Sequence, residues 1–216
     1  GDTYHRSYLS RSTDKERTWR YYATMASVQK DPNPELPGMY AGACEPSVAL
    51  LPNGQLLAVL RMQDAHFPGE YKPLYVCWSD DLGKSWTPPT PTRPHLMNIQ
   101  PTVFVLDNGV VALEYGRPSC HVVFSLDNGR TWQDRVSFSK FVTDPSKPKK
   151  TPEAPSTGPG TTVTGQFDMA KVGKNGLVVI GNDEEGTKVW PINVERVKVL
   201  PARVTLQGRI LDRKGN

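Results

Sequence analysis

Long apolar runs are missing from this chain of 216 residues. Mean hydropathy is −0.50, and no stretch approaches the roughly 20 apolar residues with which a helix crosses a bilayer. Helical periodicity is missing too, with no convincing amphipathic segment. Cysteine is scarce: Cys44, Cys77 and Cys120 are an odd number and build no disulfide framework. No Cys/His spacing suggests zinc, so the cysteines read as small buried hydrophobes and neither metal nor cofactor is expected. Charge of one sign is not concentrated either. Lys and Arg total 26 against 22 Asp and Glu, a net charge of +4. Lys147, Lys149 and Lys150 cluster without interleaved aromatics, which reads as a solvated loop and not a nucleic-acid surface.

Turn formers are plentiful instead, with 20 Pro and 18 Gly. Some recur in a fixed frame. Ser79-Asp80-Asp81-Leu82-Gly83-Lys84-Ser85-Trp86 reads S-x-D-x-G-x-S-W, and Ser125-Leu126-Asp127-Asn128-Gly129-Arg130-Thr131-Trp132 reads S-x-D-x-G-x-T-W. A damaged copy, Ser12 to Trp19, has Glu16 where Gly should be. Ser and Asp side chains can bond nearby backbone and close a tight turn. Glycine supplies positive φ without steric cost. The terminal Trp can lay its ring over the turn while its N–H finds a partner.

A second repeat interleaves with the first. Glu45-Pro46-Ser47 opens an apolar strand that ends at Asn53-Gly54 and is followed by a second apolar strand running to Arg61. Gln100-Pro101-Thr102 does the same through Asn108-Gly109 to Arg117. A weaker copy runs from Phe167 to Asn175-Gly176 and on to Ile180. Asn-Gly between β-rich runs is the strongest short hairpin signal. Repeats of this period, with four short strands each, predict the blades of a β-propeller. The fold class is therefore all-β, with blades around residues 1–30, 40–90, 95–141 and 161–200. Residues 142–160 read as a Pro/Ser/Thr/Lys-rich loop. Residues 201–216 read equally as a closing strand with a tail or as the start of a C-terminal β-sandwich domain.

The eight-residue frame resembles the Asp-box of sialidases and other β-propellers. That resemblance implies a six-bladed propeller, of which about three blades are visible. Open propeller halves would expose sheet edges, which proteins avoid. The remaining half is therefore expected from the parent chain, a partner chain or self-association. A secreted or periplasmic location follows from the family, with any signal peptide outside this sequence.

The resemblance also implies chemistry. Sialidases hold a sugar carboxylate with arginines, whose rigid forks pair bidentately with two oxygens. They use a tyrosine nucleophile in place of the usual carboxylate. Glu45 resembles the glutamate that activates that tyrosine, Arg61 the second arginine, and Arg117 the third. The tyrosine position itself falls on Gln166, which is no nucleophile. Tyr115, Tyr71 and Tyr40 are the replacements considered, with Tyr115 put forward beside Glu45. Asp64 and His66, on a rim loop with Gln63, Glu70 and Tyr71, join Gln166 as candidate sugar contacts. Three functions stay open. One is a sialidase-like glycoside hydrolase cleaving terminal acidic sugars from glycans. Another is a non-catalytic propeller that binds carbohydrate or protein. The third is a related lyase or glycosidase acting on rhamnose or uronic acid polysaccharides, which would place a His or a carboxylate pair in the pocket.

Overall fold

β-Branched and apolar residues alternate with polar ones along most of the chain, and turn residues interrupt them every few positions. The result is strands joined by short turns. The computed structural model describes residues 5–27, 29–30, 40–64, 73–94, 96, 99–116, 120–138, 167–183, 186–196 and 206–210. Among these residues there are strands and turns but no helix. The chain divides into two units, Gly1–Pro101 and Thr102–Asn216.

The first unit holds two antiparallel sheets. β1 (Ser7–Arg11) pairs with β2 (Arg20–Ala26). The second sheet runs in the order β3 (Gln29–Lys30), β4 (Tyr40–Leu50), β5 (Leu56–Asp64), β6 (Tyr75–Ser79) and β7 (Thr90–Pro91). The chain thus passes from one sheet to the next between Ala26 and Gln29. Met25 and Ala26 pack with Ala43, Ala58, Leu60, Tyr75 and Cys77 to form the core of this unit.

The second unit repeats the plan. β8 (Ile99–Val105, which begins just before the boundary), β9 (Val111–Gly116), β10 (Cys120–Ser125) and β11 (Gln133–Ser137) form one four-stranded sheet. β12 (Phe167–Val172), β13 (Gly176–Asp183), β14 (Gly186–Arg196) and β15 (Leu206–Ile210) form another. Residues 206–210 are therefore the fourth strand of that sheet, antiparallel to β14. Ala112, Val122 and Phe124 of the first sheet pack on Phe167, Met169, Leu177 and Val179 of the second. The loop read at 142–160 lies outside the described residues.

The three eight-residue frames share one hydrogen-bond pattern. Ser12, Ser79 and Ser125 donate their hydroxyls to Asp14, Asp81 and Asp127 at 2.8, 2.8 and 2.7 Å. The same hydroxyl oxygens accept the N–H of Glu16, Gly83 and Gly129 at 2.8 Å each. Each aspartate also takes the hydroxyl of Thr18, Ser85 or Thr131 at 2.6 Å. The copy with Glu16 thus forms the same side-chain bonds, although its Trp19 is exposed. Glu16 takes φ 66°, beside 89° at Gly83 and 81° at Gly129. The serine–aspartate–threonine bonds hold the turn although the residue at the glycine position carries a Cβ. Trp86 donates its ring N–H to the Gly83 carbonyl at 3.1 Å, as the sequence suggests, whereas the buried ring N–H of Trp132 has no partner among the described residues.

At the first two Asn-Gly hairpins only the glycine takes positive φ, 87° at Gly54 and 82° at Gly109, whereas at the third the positive φ falls on Gly173 and not on Gly176. Gly54 N–H donates to Leu51 O at 2.9 Å and Leu51 N–H to Gln55 O at 2.8 Å. That is a type I turn ending in a glycine bulge, not the two-residue turn that Asn-Gly most often signals.

Candidate functional site

In the first unit, β4 is interrupted where its register shifts between Cys44 and Ser47. Glu45 sits in this bulge with φ 45°, immediately before Pro46. A residue before proline is pushed away from helical geometry, and a side chain with positive φ is costly, so this backbone is held by its neighbours. Cys44 lies opposite Arg61 of β5, which brings the arginine level with the bulge. Arg61 NH1 donates to Glu45 Oε1 at 2.7 Å. Gln100 donates its backbone N–H to Glu45 Oε2 at 2.9 Å. Both carboxylate oxygens are therefore engaged. The pair remains open to solvent, with 25% of the Arg61 side chain and 34% of the Glu45 side chain exposed. Cys44 backs it, donating its thiol to the Arg61 carbonyl at 3.7 Å. Burial pushes that thiol up to about 11, so it stays protonated at neutral pH.

The spacing of sixteen residues between Glu45 and Arg61 thus has a direct cause. The hairpin returns β5 alongside β4, and the bulge turns Glu45 toward the arginine. The other sequence candidates are placed as follows. Asp64 ends β5, its backbone paired with Ala41. His66, Arg117 and Gln166 lie outside the described residues, as do Tyr71, Glu70 and the loop that carries them.

Tyr115 belongs to the second unit. It is buried in β9, its ring tilted against His121 of β10 with centroids 5.1 Å apart. Burial raises the phenol above its ordinary value, and a hydrogen bond from Arg135 opposes the rise. As it stands the phenol holds its proton tightly, and a base would have to draw it off.

A carboxylate that belongs to neither repeated motif stands one residue earlier. Glu114 is only 1% exposed, in a strand whose every residue is buried. Cys120 donates its thiol to Glu114 Oε1 at 3.6 Å. Among the described residues Glu114 Oε2 has no hydrogen-bond partner. Burial pushes the acid up to about 8, against bonds from Cys120 and Thr102, and the charge of Asp168 pushes the same way. Glu114 is therefore a neutral carboxylic acid at pH 7. The sequence did carry a signal, since Glu114 is the one ionisable side chain in the run Val110-Val111-Ala112-Leu113-Glu114-Tyr115-Gly116 other than a tyrosine. An unpaired acid in a buried strand is costly and marks itself. Asp168, at the exposed start of β12, accepts the Thr102 hydroxyl at 3.4 Å and the Met169 N–H at 2.8 Å, both on Oδ1.

Comparison with known proteins fits this plan of repeated sheets. The family described as the BNR repeat-like domain matches residues 2–148. A comparison against curated protein sequences finds no match. Among solved structures, a protein of unknown function from Dyadobacter fermentans aligns with TM-score 0.56 and 18% identity over 94% of this chain. The leech intramolecular trans-sialidase, complexed with 2,7-anhydro-Neu5Ac, aligns with TM-score 0.50 and 16% identity over 94% of this chain. The intramolecular trans-sialidase of Ruminococcus gnavus, in complex with oseltamivir carboxylate, gives the same TM-score, identity and coverage. The chain spans 44%, 29% and 40% of those three proteins. At this identity the likeness establishes the fold, a sialidase-like β-propeller of which this chain forms part.

Proposed function

The chain belongs to the BNR repeat-like domain family, and on that premise we propose that its parent protein is a sialidase-like glycoside hydrolase acting on terminal acidic sugars of glycans. The observation that carries the reading is the Glu45–Arg61 pair, bonded at 2.7 Å yet partly open to solvent. Arg61 presents a guanidinium of five donors, and the bond through NH1 to Glu45 uses one of them. A guanidinium fixed in this way is suited to pair with a sugar carboxylate. Glu45, held by Arg61 and by Gln100 N–H, is suited to accept a proton from a neighbouring hydroxyl nucleophile. The phenol of a tyrosine serves best there, because a neutral nucleophile is not repelled by the carboxylate of the substrate. A glycan substrate also suits a secreted or periplasmic protein.

A second reading, an acidic-sugar-binding propeller without turnover, is favoured by one observation: the Tyr115 phenol is buried and bonded to Arg135. Hydrolysis of a fluorogenic sialic acid glycoside by the full-length protein, beside its Glu45→Gln variant, separates the two. Turnover that falls at least a hundredfold in the variant supports the hydrolase. Folded protein that binds the glycoside without cleaving it establishes the binding propeller.

A further inference from the structure

A carboxylate that accepts a proton in a reaction must be held in place, and the two bonds that hold Glu45 differ in kind. Arg61 reaches Oε1 from β5, the strand alongside, through a long side chain. Gln100 reaches Oε2 through its backbone N–H, from fifty-five residues further along the chain. Both residues lie in the first unit. Gln100 is exposed and takes φ 48° immediately before Pro101. The φ of a residue sets how its N–H is turned against the strand that follows, so this value aims the donor relative to β8. An extended φ, the ordinary choice before proline, would swing the N–H elsewhere. Left-handed backbone is costly for a residue with a Cβ and free for glycine. Such strain persists where the surroundings over-determine it, and it gathers at functional sites. Here the donor it aims meets a carboxylate that is 34% exposed and already paired with an arginine. A backbone donor has no rotamers of its own, so it fixes the oxygen it bonds more firmly than a side chain can.

We propose that Gln100 is a positioning residue for Glu45, acting through its left-handed backbone N–H and not through its side chain. The proposal rests on the reading of Glu45 as the proton acceptor of a hydrolase. The two bonds then divide the work of the site. Arg61 is the group suited to the sugar carboxylate, and its bond is to Oε1. Gln100 fixes Oε2 and with it the direction in which Glu45 faces a hydroxyl nucleophile. Losing the Gln100 bond leaves the Arg61 bond in place, so turnover should suffer and substrate binding should not.

The test uses full-length protein and a fluorogenic sialic acid glycoside, with rates taken per folded molecule. A β-branched side chain is a poor fit to φ near 48°, and glycine is a good one. Gln100→Val should lower kcat roughly 10- to 100-fold, the scale of a misplaced reacting group. Its KM should stay within about twofold of the wild type, because ground-state binding is left intact. Gln100→Gly, which lacks the side chain but favours the same backbone, should recover most of the lost kcat. A second measurement needs no change at Gln100. The amide proton of Gln100, followed by NMR, should move upfield in Glu45→Ala, as an N–H relieved of a carboxylate does. Gln100→Gly as slow as Gln100→Val would give the role to the side chain and overturn the proposal. Gln100→Val with the kcat of the wild type, or with a raised KM and an unchanged kcat, overturns it too. So does an amide signal that Glu45→Ala leaves unmoved. Wild-type protein that binds the glycoside without cleaving it, while the amide signal does move in Glu45→Ala, sinks the hydrolase reading and supports the positioning bond alone.

Discussion

Gln100 donates its backbone N–H to Glu45 Oε2 across 2.9 Å, and the two residues hold the same place in successive repeats. Each precedes a proline, and each takes positive φ, 45° at Glu45 and 48° at Gln100. The repeat thus reproduces a strained backbone, and the strain serves a purpose. The bulge that carries Glu45 out of the β4 register puts its carboxylate between the guanidinium of Arg61 and an N–H of the next repeat.

Arg61→Ala removes one side of that arrangement. A hydrogen bond to a charged group contributes about 1.5–3 kcal/mol. Affinity for a carboxylate-bearing sugar should therefore fall roughly 10- to 100-fold, by calorimetry on the full-length protein. Arg61→Lys should recover only part of it, because an ammonium cannot offer the bidentate fork. Unchanged affinity in Arg61→Ala removes this arginine from the sugar site.

Glu16→Gly should stabilise the protein. Glu16 holds φ 66° at the place where the other two turns have glycine. Left-handed geometry costs a residue with a Cβ roughly 1–2 kcal/mol, offset in part by the entropy of glycine. The expected net gain is about 1 kcal/mol in urea unfolding. The reverse change, Gly83→Ala, should destabilise by more, because Gly83 has φ 89° and its added Cβ would lie 2.6 Å from Leu9 Cδ1. A loss of stability in Glu16→Gly would mean that the glutamate side chain makes a contact worth more than the backbone strain.

Much of this was legible in the sequence, for reasons that are local. Turn chemistry is written in a few adjacent residues, so Ser79-x-Asp81-x-Gly83 and Leu51-Pro52-Asn53-Gly54 reveal their hairpins directly. Glu45 and Arg61 meet because a hairpin of known length joins them. What escaped depends on register and on neighbours distant in sequence. The Glu16 turn looked damaged because the missing glycine is visible and the three side-chain bonds that replace its advantage are not. The pairing of Gln29–Lys30 with Tyr40–Ala41 rests on two residues and carries no pattern. The bulge at Glu45 hides behind a proline that could equally mark a strand start. Glu114 was passed over because alternation predicts which strand face a residue takes, but not which other sheet that face meets.

Gly181→Ala should be among the most damaging single changes in the second unit. Gly181 lies opposite Phe167 in the β12–β13 ladder. The phenyl ring rests on the bare glycine, so an added Cβ would lie 1.8 Å from Phe167 Cδ1. Overpacking of this kind costs typically 1–3 kcal/mol. Displacing the ring would also disturb its contact with Trp190, whose centroid is 6.3 Å away. A neutral result in urea unfolding would show that Phe167 has another rotamer available at no cost.

The aspartates of the turns should make the protein sensitive to acid. Bonds from the Ser85 hydroxyl and N–H, then from Ser79, hold Asp81 at about 2. Asp14 is held at about 2 by Thr18 and Ser12 in the same way. Their folded values lie below the ordinary 3.8, so the stability they contribute is present above about pH 4 and is lost as pH falls toward 2. Asp81→Asn should therefore lower stability at pH 7 and flatten its decline between pH 4 and pH 2. An equally steep acid limb in the variant would assign that limb to other carboxylates.

Glu114 should act in the opposite sense, at the alkaline end. Its folded value, about 8, lies above the ordinary 4.5. The unfolded chain releases this proton near pH 4.5, and the native protein keeps it until about pH 8. Between those values the native state binds more protons, so stability falls as pH rises, and the decline levels off above pH 8. Each unit of difference is worth about 1.4 kcal/mol, so the whole effect is a few kcal/mol. Glu114→Gln carries no titratable proton and should remove this decline, leaving the variant more stable than the wild type at pH 8–9 and less favoured near pH 5. Urea unfolding at pH 5, 7 and 9 distinguishes the cases. Parallel pH dependence in the two proteins would mean that Glu114 ionises in the folded state much as it does in water, and the buried acid would then need a cation close to it.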